Sequence, residues 1–517
     1  MNEIAVGVGP LTQQQVLAVA RQDAPVRLDD AARKAIAASR EVIEALADDP
    51  EPHYGVSTGF GALATKHIAP ADRVALQRSL IRSHAAGSGP EVEREVVRAL
   101  MTLRLSTLAT GRTGVRLETA ETYAAMLNAG ITPVVYEFGS LGCSGDLAPL
   151  AHCALAATGE GTVRVGTGQA GGDVLPAAEA LAAAGITPVV LREKEGLALT
   201  NGVDGMLGML TLATADLALL FTTADLAAAM SVEAQLGTDA VFAADLQALR
   251  PHPGQADSAA NLRALLAGSG IMASHREPNA CTRVQDAYSL RCSPQVHGAG
   301  RDTLAHACLV RDRELASAVD NPVITLDGRV ESNGNFHGAP VAYVLDFLAI
   351  CAADLASISE RRTDRFLDKA RSHGLPPFLA ADPGVDSGYM IAQYTQAAIV
   401  SELKRLAAPA SVDSIPSSAM QEDHVSMGWS AARKLRRAVD GLTRVLAVEI
   451  LTAARALDLR APLVPAPATA AARDALRARV AGPGPDRYLA PDIAAAVELV
   501  RTGRLVAAAE AACGPLR

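Results

Sequence analysis

Val341-Ala-Tyr-Val344-Leu-Asp-Phe347-Leu348-Ala-Ile-Cys351-Ala-Ala-Asp-Leu355-Ala-Ser-Ile358-Ser-Glu-Arg-Arg-Thr-Asp-Arg365 carries the clearest periodicity in the chain. Val344, Phe347, Leu348, Cys351, Leu355 and Ile358 recur at spacings of three and four, the period of an α-helix. Working outward, 201–236 is apolar nearly all round, which predicts a helix at the centre of a bundle. Residues 301–318 and 390–406 read as further long helices. Alanine and leucine dominate and β-branched runs are few, so the fold class expected is mainly α. The architecture expected is a long central helical bundle with a smaller N-terminal region that carries loops. The division is drawn at 1–110 and 111–517.

Bulk properties narrow the function classes. The chain has 517 residues, 49% hydrophobic and 20% charged, which is enough for a large core. Its 47 basic and 56 acidic side chains give a net charge of -9, which repels a nucleic acid or an anionic membrane. Neither is expected as a partner. The 7 cysteines form no C-x-x-C pair, so a reducing cytoplasm is expected rather than a disulfide framework. The start, Met1-Asn2-Glu3, has no basic n-region, and no signal peptide is expected. The most apolar region, 206–230, is interrupted by Asp216 and Asp225, which favours a buried helix over a membrane span. The 11 histidines are scattered without H-E-x-x-H or clustered Cys/His spacing, so no metal site is expected. No phosphate-binding or dinucleotide glycine pattern occurs.

Chemistry concentrates in the loops. Residues 55–61, 139–145, 332–335 and 409–416 are rich in breakers, and 159–172 could close a small hairpin. The stretch Gly139-Ser-Leu-Gly-Cys143-Ser144-Gly145-Asp146-Leu-Ala-Pro149-Leu-Ala-His152 admits two compatible readings. In one it is a helix start, with Ser144 or Asp146 as cap and Pro149 in the first turn. In the other, the Gly145 nitrogen, with no side chain beside it, bends back onto the Cys143 carbonyl. Closure with loss of water, then loss of water from Ser144, leaves a 5-methylidene-imidazol-4-one ring. Such a ring is an electrophile, which no standard side chain provides. The side chain at 143 lies outside the ring, so cysteine is permitted there.

The same stretch resembles the signature of the aromatic amino acid ammonia-lyases, whose usual tripeptide is Ala-Ser-Gly. The resemblance runs through nearly the whole chain. Tyr54-Gly-Val-Ser-Thr-Gly-Phe-Gly61 looks like the family's tyrosine loop, and Ser83-His84-Ala-Ala-Gly87 like the neighbouring block of its histidine-acting members. Lys194-Glu-Gly-Leu-Ala-Leu-Thr-Asn201-Gly, Val284-Gln285-Asp-Ala-Tyr288-Ser-Leu-Arg291, Gly334-Asn335-Phe336-His337-Gly338 and Gln421-Glu422-Asp423-His424 complete the set. Val203 stands where threonine is more usual.

The resemblance implies a carbon–nitrogen lyase with a ring formed autocatalytically from Cys143-Ser144-Gly145 and no external cofactor. Tyr54 would be the general base that takes the substrate β-proton. A phenol titrating near ~10 needs surroundings that lower that value for this work. Arg291 would hold the α-carboxylate through its planar fork. Asn201, Gln285 and Tyr288 would line the same pocket, and Phe336 would pack near the ring. His84 and Glu422 would pair with an imidazole, which points to L-histidine as the small-molecule substrate and trans-urocanate as product. Relatives that act on phenylalanine typically have glutamine where Glu422 stands. A homotetramer, with active sites built from loops of more than one subunit, is implied as well. The alternatives are a tyrosine or phenylalanine lyase, an aminomutase of the same family, or a helical binding scaffold that has lost its chemistry.

Overall fold

The computed structural model describes the chain apart from residues 1, 2, 60, 169–171, 277–279 and 282. Phe60 of the tyrosine loop and the tip of the expected 159–172 hairpin therefore lie outside the described residues. Helices dominate, and the described strands are short. Strand Ile4–Val6 pairs in parallel with Val26–Leu28, and Ser88–Glu91 pairs antiparallel with Tyr136–Phe138. Thr162–Val165 lies between Ile131–Pro133 and Asp173–Pro176 in a three-stranded antiparallel sheet, so the hairpin expected within 159–172 extends past it, with its second strand at 173–176.

The long helices follow the sequence periodicities, with shifted ends. Ala339–Leu367 covers the periodic stretch 341–365, and Met390–Leu406 coincides with its expectation. The all-round apolar stretch forms Asp204–Ala234, and residues 201–203 instead enter it as a buried loop. Asp204–Ala234 and Ala339–Leu367 are each long and apolar enough to cross a membrane, but 72% and 61% of their most apolar windows are buried inside the protein. Inside the first, Asp225 accepts hydrogen bonds from Ser258, Asn261 and Arg301, and His297 Nδ1 lies 2.7 Å from it. The helix expected from 301 begins earlier, as Ser293–Leu315. The glycines that hid its first turns serve close packing: a Cβ on Gly298 would lie 2.3 Å from the Gln255 nitrogen, and one on Gly300 would lie 2.4 Å from the Phe221 ring.

The chain forms two compact units. The first comprises Met1–Leu212, Cys308–Leu345 and Pro409–Arg433. Its centre is the helix Arg94–Ala109, buried on every side from Val96 to Ala109. A helix so enclosed must satisfy its charges internally. Arg98 donates to the carbonyls of Val19 and Leu127, and Arg104 to the Ala198 carbonyl and the Asp204 carboxylate. The second unit comprises Ala213–Ala307, Asp346–Ala408 and Lys434–Arg517. Within it Arg362 grips Glu449 with two parallel bonds of 2.5 and 3.0 Å, both side chains fully buried. Ser231 and Ser359 donate to the same carboxylate.

This pair supplies a test of packing. Arg362→Met strands a buried carboxylate, and the expected loss of unfolding free energy is ~3–5 kcal/mol. Arg362→Met/Glu449→Leu should recover most of that loss. Urea unfolding at fixed protein concentration measures both.

Candidate active site

After strand Tyr136–Phe138 the chain turns tightly between Gly142 and Gly145, whose N–H donates to the Gly142 carbonyl at 3.1 Å. Cys143 and Ser144 form the corner, with Ser144 at φ +50° and Gly145 at +86°. A Cβ on Gly145 would lie 2.0 Å from the Gly202 carbonyl oxygen, so only glycine fits there. That carbonyl accepts from the Asp146 N–H at 2.7 Å, and the Gly202 N–H donates to the Ser144 carbonyl at 3.0 Å. On the other side, a Cβ on Gly142 would fall 1.7 Å from the Ser426 carbonyl oxygen. The tripeptide is thus held between two backbone segments. A held turn whose Gly145 nitrogen has no adjacent Cβ suits closure of the backbone onto the Cys143 carbonyl.

Asp146 corrects the simple capping expectation. It stands at the N-cap of Leu147–Ala157, yet its side chain makes no bond to that helix. Its carboxyl instead accepts from the Gly205 and Met206 N–H groups, both at 2.9 Å, and so caps the helix Asp204–Ala234. Ser140 donates to its other oxygen at 3.3 Å. Burial, reinforced by nearby Asp204, pushes this carboxyl up to about 7 against those hydrogen bonds. One side chain joins the tripeptide loop to the start of a central helix.

Four of the expected site residues converge beside the turn. Cys143 hydrogen-bonds to Glu422, and burial together with that carboxylate pushes its thiol up to about 12. The thiol is neutral at physiological pH, in keeping with a tolerated side chain rather than a nucleophile. Tyr54 feels both Glu422 and Cys143. Its hydroxyl accepts the Gly61 N–H at 3.4 Å, the one contact that lowers its pKa. Burial and the two acidic neighbours outweigh it and raise the phenol above its ordinary value. The expectation that the surroundings lower it is therefore not met by these neighbours, because the group nearest in charge is an anion. His84 also senses Glu422, but burial dominates and lowers its pKa, so the imidazole is neutral at physiological pH. Its Nδ1 lies 2.9 Å from Ser83 Oγ.

Local structure explains these placements. Tyr54 lies in a turn, and Gly61 at its end approaches the Glu422 segment closely: a Cβ there would be 3.1 Å from Ser418 Oγ. His84 ends the helix Arg73–His84. Glu422 is held by a short antiparallel bridge with Ser417, whose hydroxyl donates to its carboxylate at 2.7 Å. Asn201 is buried beside Gly202 and donates its Nδ2 to the Asn321 carbonyl at 2.7 Å. Phe336 is half-buried in a turn. His337, next to it, stacks on His424 with ring centroids 5.6 Å apart, which links the Phe336 and Glu422 segments.

Gln285, Tyr288 and Arg291 belong to the second unit, where they form a group of their own. Arg291 donates to the Gln285 side chain at 2.9 Å and to the Asp286 carbonyl at 3.0 Å. Its guanidinium also lies 4.7 Å from the centre of the Tyr288 ring, which is 71% exposed. Among the described residues, no group of His, Cys, Asp and Glu is placed to hold a metal ion. The sequence assigns no role to Ser83, Ser417 or the buried Lys194–Asp320 pair. Ser83 and Ser417 bond to near neighbours in sequence, whereas Lys194 and Asp320 are 126 residues apart and only the fold brings them together.

The model of the family described as aromatic amino acid lyase matches residues 11–478. A histidine ammonia-lyase of Streptomyces coelicolor is 67% identical, with 100% of both chains covered. Among solved structures, a tyrosine aminomutase from Streptomyces globisporus superposes with a TM-score of 0.93 at 39% identity, covering 100% of both chains. A histidine ammonia-lyase from Trypanosoma cruzi superposes with a TM-score of 0.90 at 37% identity, covering 99% of this chain and 95% of that one. Taken with the tripeptide turn and the residues around it, these likenesses make the chain a member of the aromatic amino acid lyase family.

Proposed function

We propose that this chain is a histidine ammonia-lyase, which eliminates ammonia from L-histidine without hydrolysis or oxidation and releases trans-urocanate. The observation that carries the reading is the meeting of Tyr54, His84, Cys143 and Glu422 beside a clamped Cys143-Ser144-Gly145 turn. Full-length relatives named histidine ammonia-lyase, at 67% identity in Streptomyces coelicolor, support the same substrate.

Cyclised, the tripeptide would supply a methylidene-imidazolone electrophile for the substrate amine. Its turn fits that group, since Gly145 tolerates no Cβ and both flanks are pinned by backbone. His84 and Glu422 hold the imidazole, an interaction an apolar pocket could not offer without leaving polar atoms unpaired. Neutral His84 accepts or donates at one ring nitrogen, and Glu422, oriented by Ser417, accepts at the other. Tyr54 removes the β-proton. Asn201 adds to the polar lining and Phe336 to the apolar one, while in the proposed assembly the Gln285, Tyr288 and Arg291 group comes from another copy of the chain, with Arg291 anchoring the α-carboxylate.

The assembly we propose is a homotetramer that works in the cytoplasm. Along the helix Ala339–Leu367, Tyr343, Phe347 and Ile350 stand at spacings of four and three and are 52%, 45% and 46% exposed. An apolar stripe of this kind is suited to burial against further copies of the chain.

Incubation with histidine, tyrosine and phenylalanine separately, with ammonia and the conjugated acrylate followed, tests the substrate. Histidine should be much the best substrate, and a clear preference for either of the others would contradict the reading. Glu422→Gln should lower kcat/KM for histidine by roughly 10–100-fold, the kinetic equivalent of one mispaired buried polar contact.

The base makes a second prediction. Because the Tyr54 phenol titrates above its ordinary value, its deprotonated fraction grows with pH throughout the neutral range. The wild-type rate should therefore rise from neutral into alkaline pH, and Tyr54→Phe should cost ~10²–10⁴ in kcat. A Tyr54→Phe variant of wild-type activity would remove Tyr54 from the mechanism.

A further inference from the structure

Beneath the site lies a pair of charges that the proposed mechanism does not use. Lys194 and Asp320 are both fully buried, and Nζ lies 2.5 Å from Oδ2. Burial lowers the lysine pKa and Asp320 opposes that shift, so the pair exists at the cost of desolvating two ions. Lys194 also adopts a left-handed backbone, φ +70°, at the start of the short helix Glu195–Ala198. A non-glycine residue persists there only when its surroundings over-determine it. The neighbouring Glu195 supplies part of that constraint, accepting from Arg116, Thr119 and the Arg192 N–H.

From this pair a continuous chain of bonds reaches the site. Asp320 Oδ1 accepts the Asn321 N–H at 2.7 Å, and the Asn321 carbonyl accepts Asn201 Nδ2 at 2.7 Å. A carbonyl can only accept, so the atom of Asn201 that faces it is the nitrogen. The amide is thereby directed: its nitrogen is committed to the Asn321 carbonyl, and its oxygen is the atom that can serve as acceptor. Asn333 closes the other side of the same segment: its Nδ2 donates to the Asp320 carbonyl at 2.9 Å, and its N–H donates to Asn321 Oδ1 at 3.0 Å. The tyrosine loop rests on the same base. A Cβ on Gly55 would lie 2.5 Å from Leu197 and 3.6 Å from the Lys194 side chain.

We propose that the buried Lys194–Asp320 pair is a positioning device that fixes the direction of the Asn201 amide for the reaction. The inference rests on the proposed lyase reading, in which Asn201 lines the substrate pocket. Lys194 and Asp320 touch no substrate; they act through Asn321.

The test uses Lys194→Met/Asp320→Asn, which removes both charges together so that neither is stranded. The assay substrate is whichever of histidine, tyrosine and phenylalanine the wild-type protein converts fastest. A choice other than histidine overturns the histidine reading while leaving this test intact. The double variant should melt and elute like the wild type, and its peptide across residues 139–152 should have the wild-type mass. Its kcat should fall at least ~10-fold with KM changed less than ~3-fold. In an Asn201→Ala background the same double change should cost less than ~3-fold, because the pair acts through that amide. Wild-type kcat in the double variant, or a full additional loss on top of Asn201→Ala, would overturn the proposal. Should the double variant fail to fold, Lys194→Arg decides the matter: a reduced kcat at wild-type Tm supports positioning, and an unchanged kcat overturns it.

Discussion

At Gly145 and Gly202 two backbone segments come so close that a Cβ on Gly145 would strike the Gly202 carbonyl at 2.0 Å, and on its far side Gly202 is covered by the Arg104 side chain, 1.9 Å from where its own Cβ would lie. The rest of the site depends on this approach. It holds the Ser144 carbonyl and the Asp146 N–H on one strand of contact, and it brings the Asp146 carboxyl to the first N–H groups of Asp204–Ala234. A loop that must store a reactive backbone geometry is thus tied to the buried start of a long helix rather than left to surface turns.

Charge placement around that loop divides into two zones. Below it, Arg104–Asp204 and Lys194–Asp320 are buried ion pairs that orient backbone and amides and meet no solvent. Beside it, burial raises the phenol of Tyr54 and the thiol of Cys143, and Glu422 adds to both shifts. The carboxylate suited to recognising an imidazole therefore works against the base that must take a proton. In the proposed reaction a neutral or cationic imidazole beside Glu422 would relieve part of that opposition, which couples substrate recognition to proton transfer.

The helices were legible because burial imposes a period of three and four on sequence, as in 341–365 and 390–406. Their ends were less so. Gly298 and Gly300, ahead of the expected start at 301, lie inside the helix and admit neighbours at close range, and 201–203, expected as helix from their apolar surroundings, form a buried loop. The tripeptide and Tyr54, His84 and Glu422 were legible as loop blocks of unusual composition that resemble a known family. Asp146 was read as a cap, but its carboxyl caps a helix beginning at Asp204, a contact across sequence that no local pattern announces. The partners that set the chemistry were equally silent: Ser417 on Glu422, and Asp320 on Lys194 at a separation of 126 residues. The second pairing arises from topology, and each member alone is an ordinary polar residue.

In the proposed enzyme the clamped turn closes on itself. The most direct measurement is the mass of a proteolytic peptide spanning residues 139–152, taken from the purified protein beside its Ser144→Ala counterpart. The wild-type peptide should lack two waters, one from backbone closure and one from Ser144, and the variant, with no serine hydroxyl to lose, should not lack both. A wild-type peptide of full, unmodified mass in a protein that eliminates ammonia from histidine would contradict that closure.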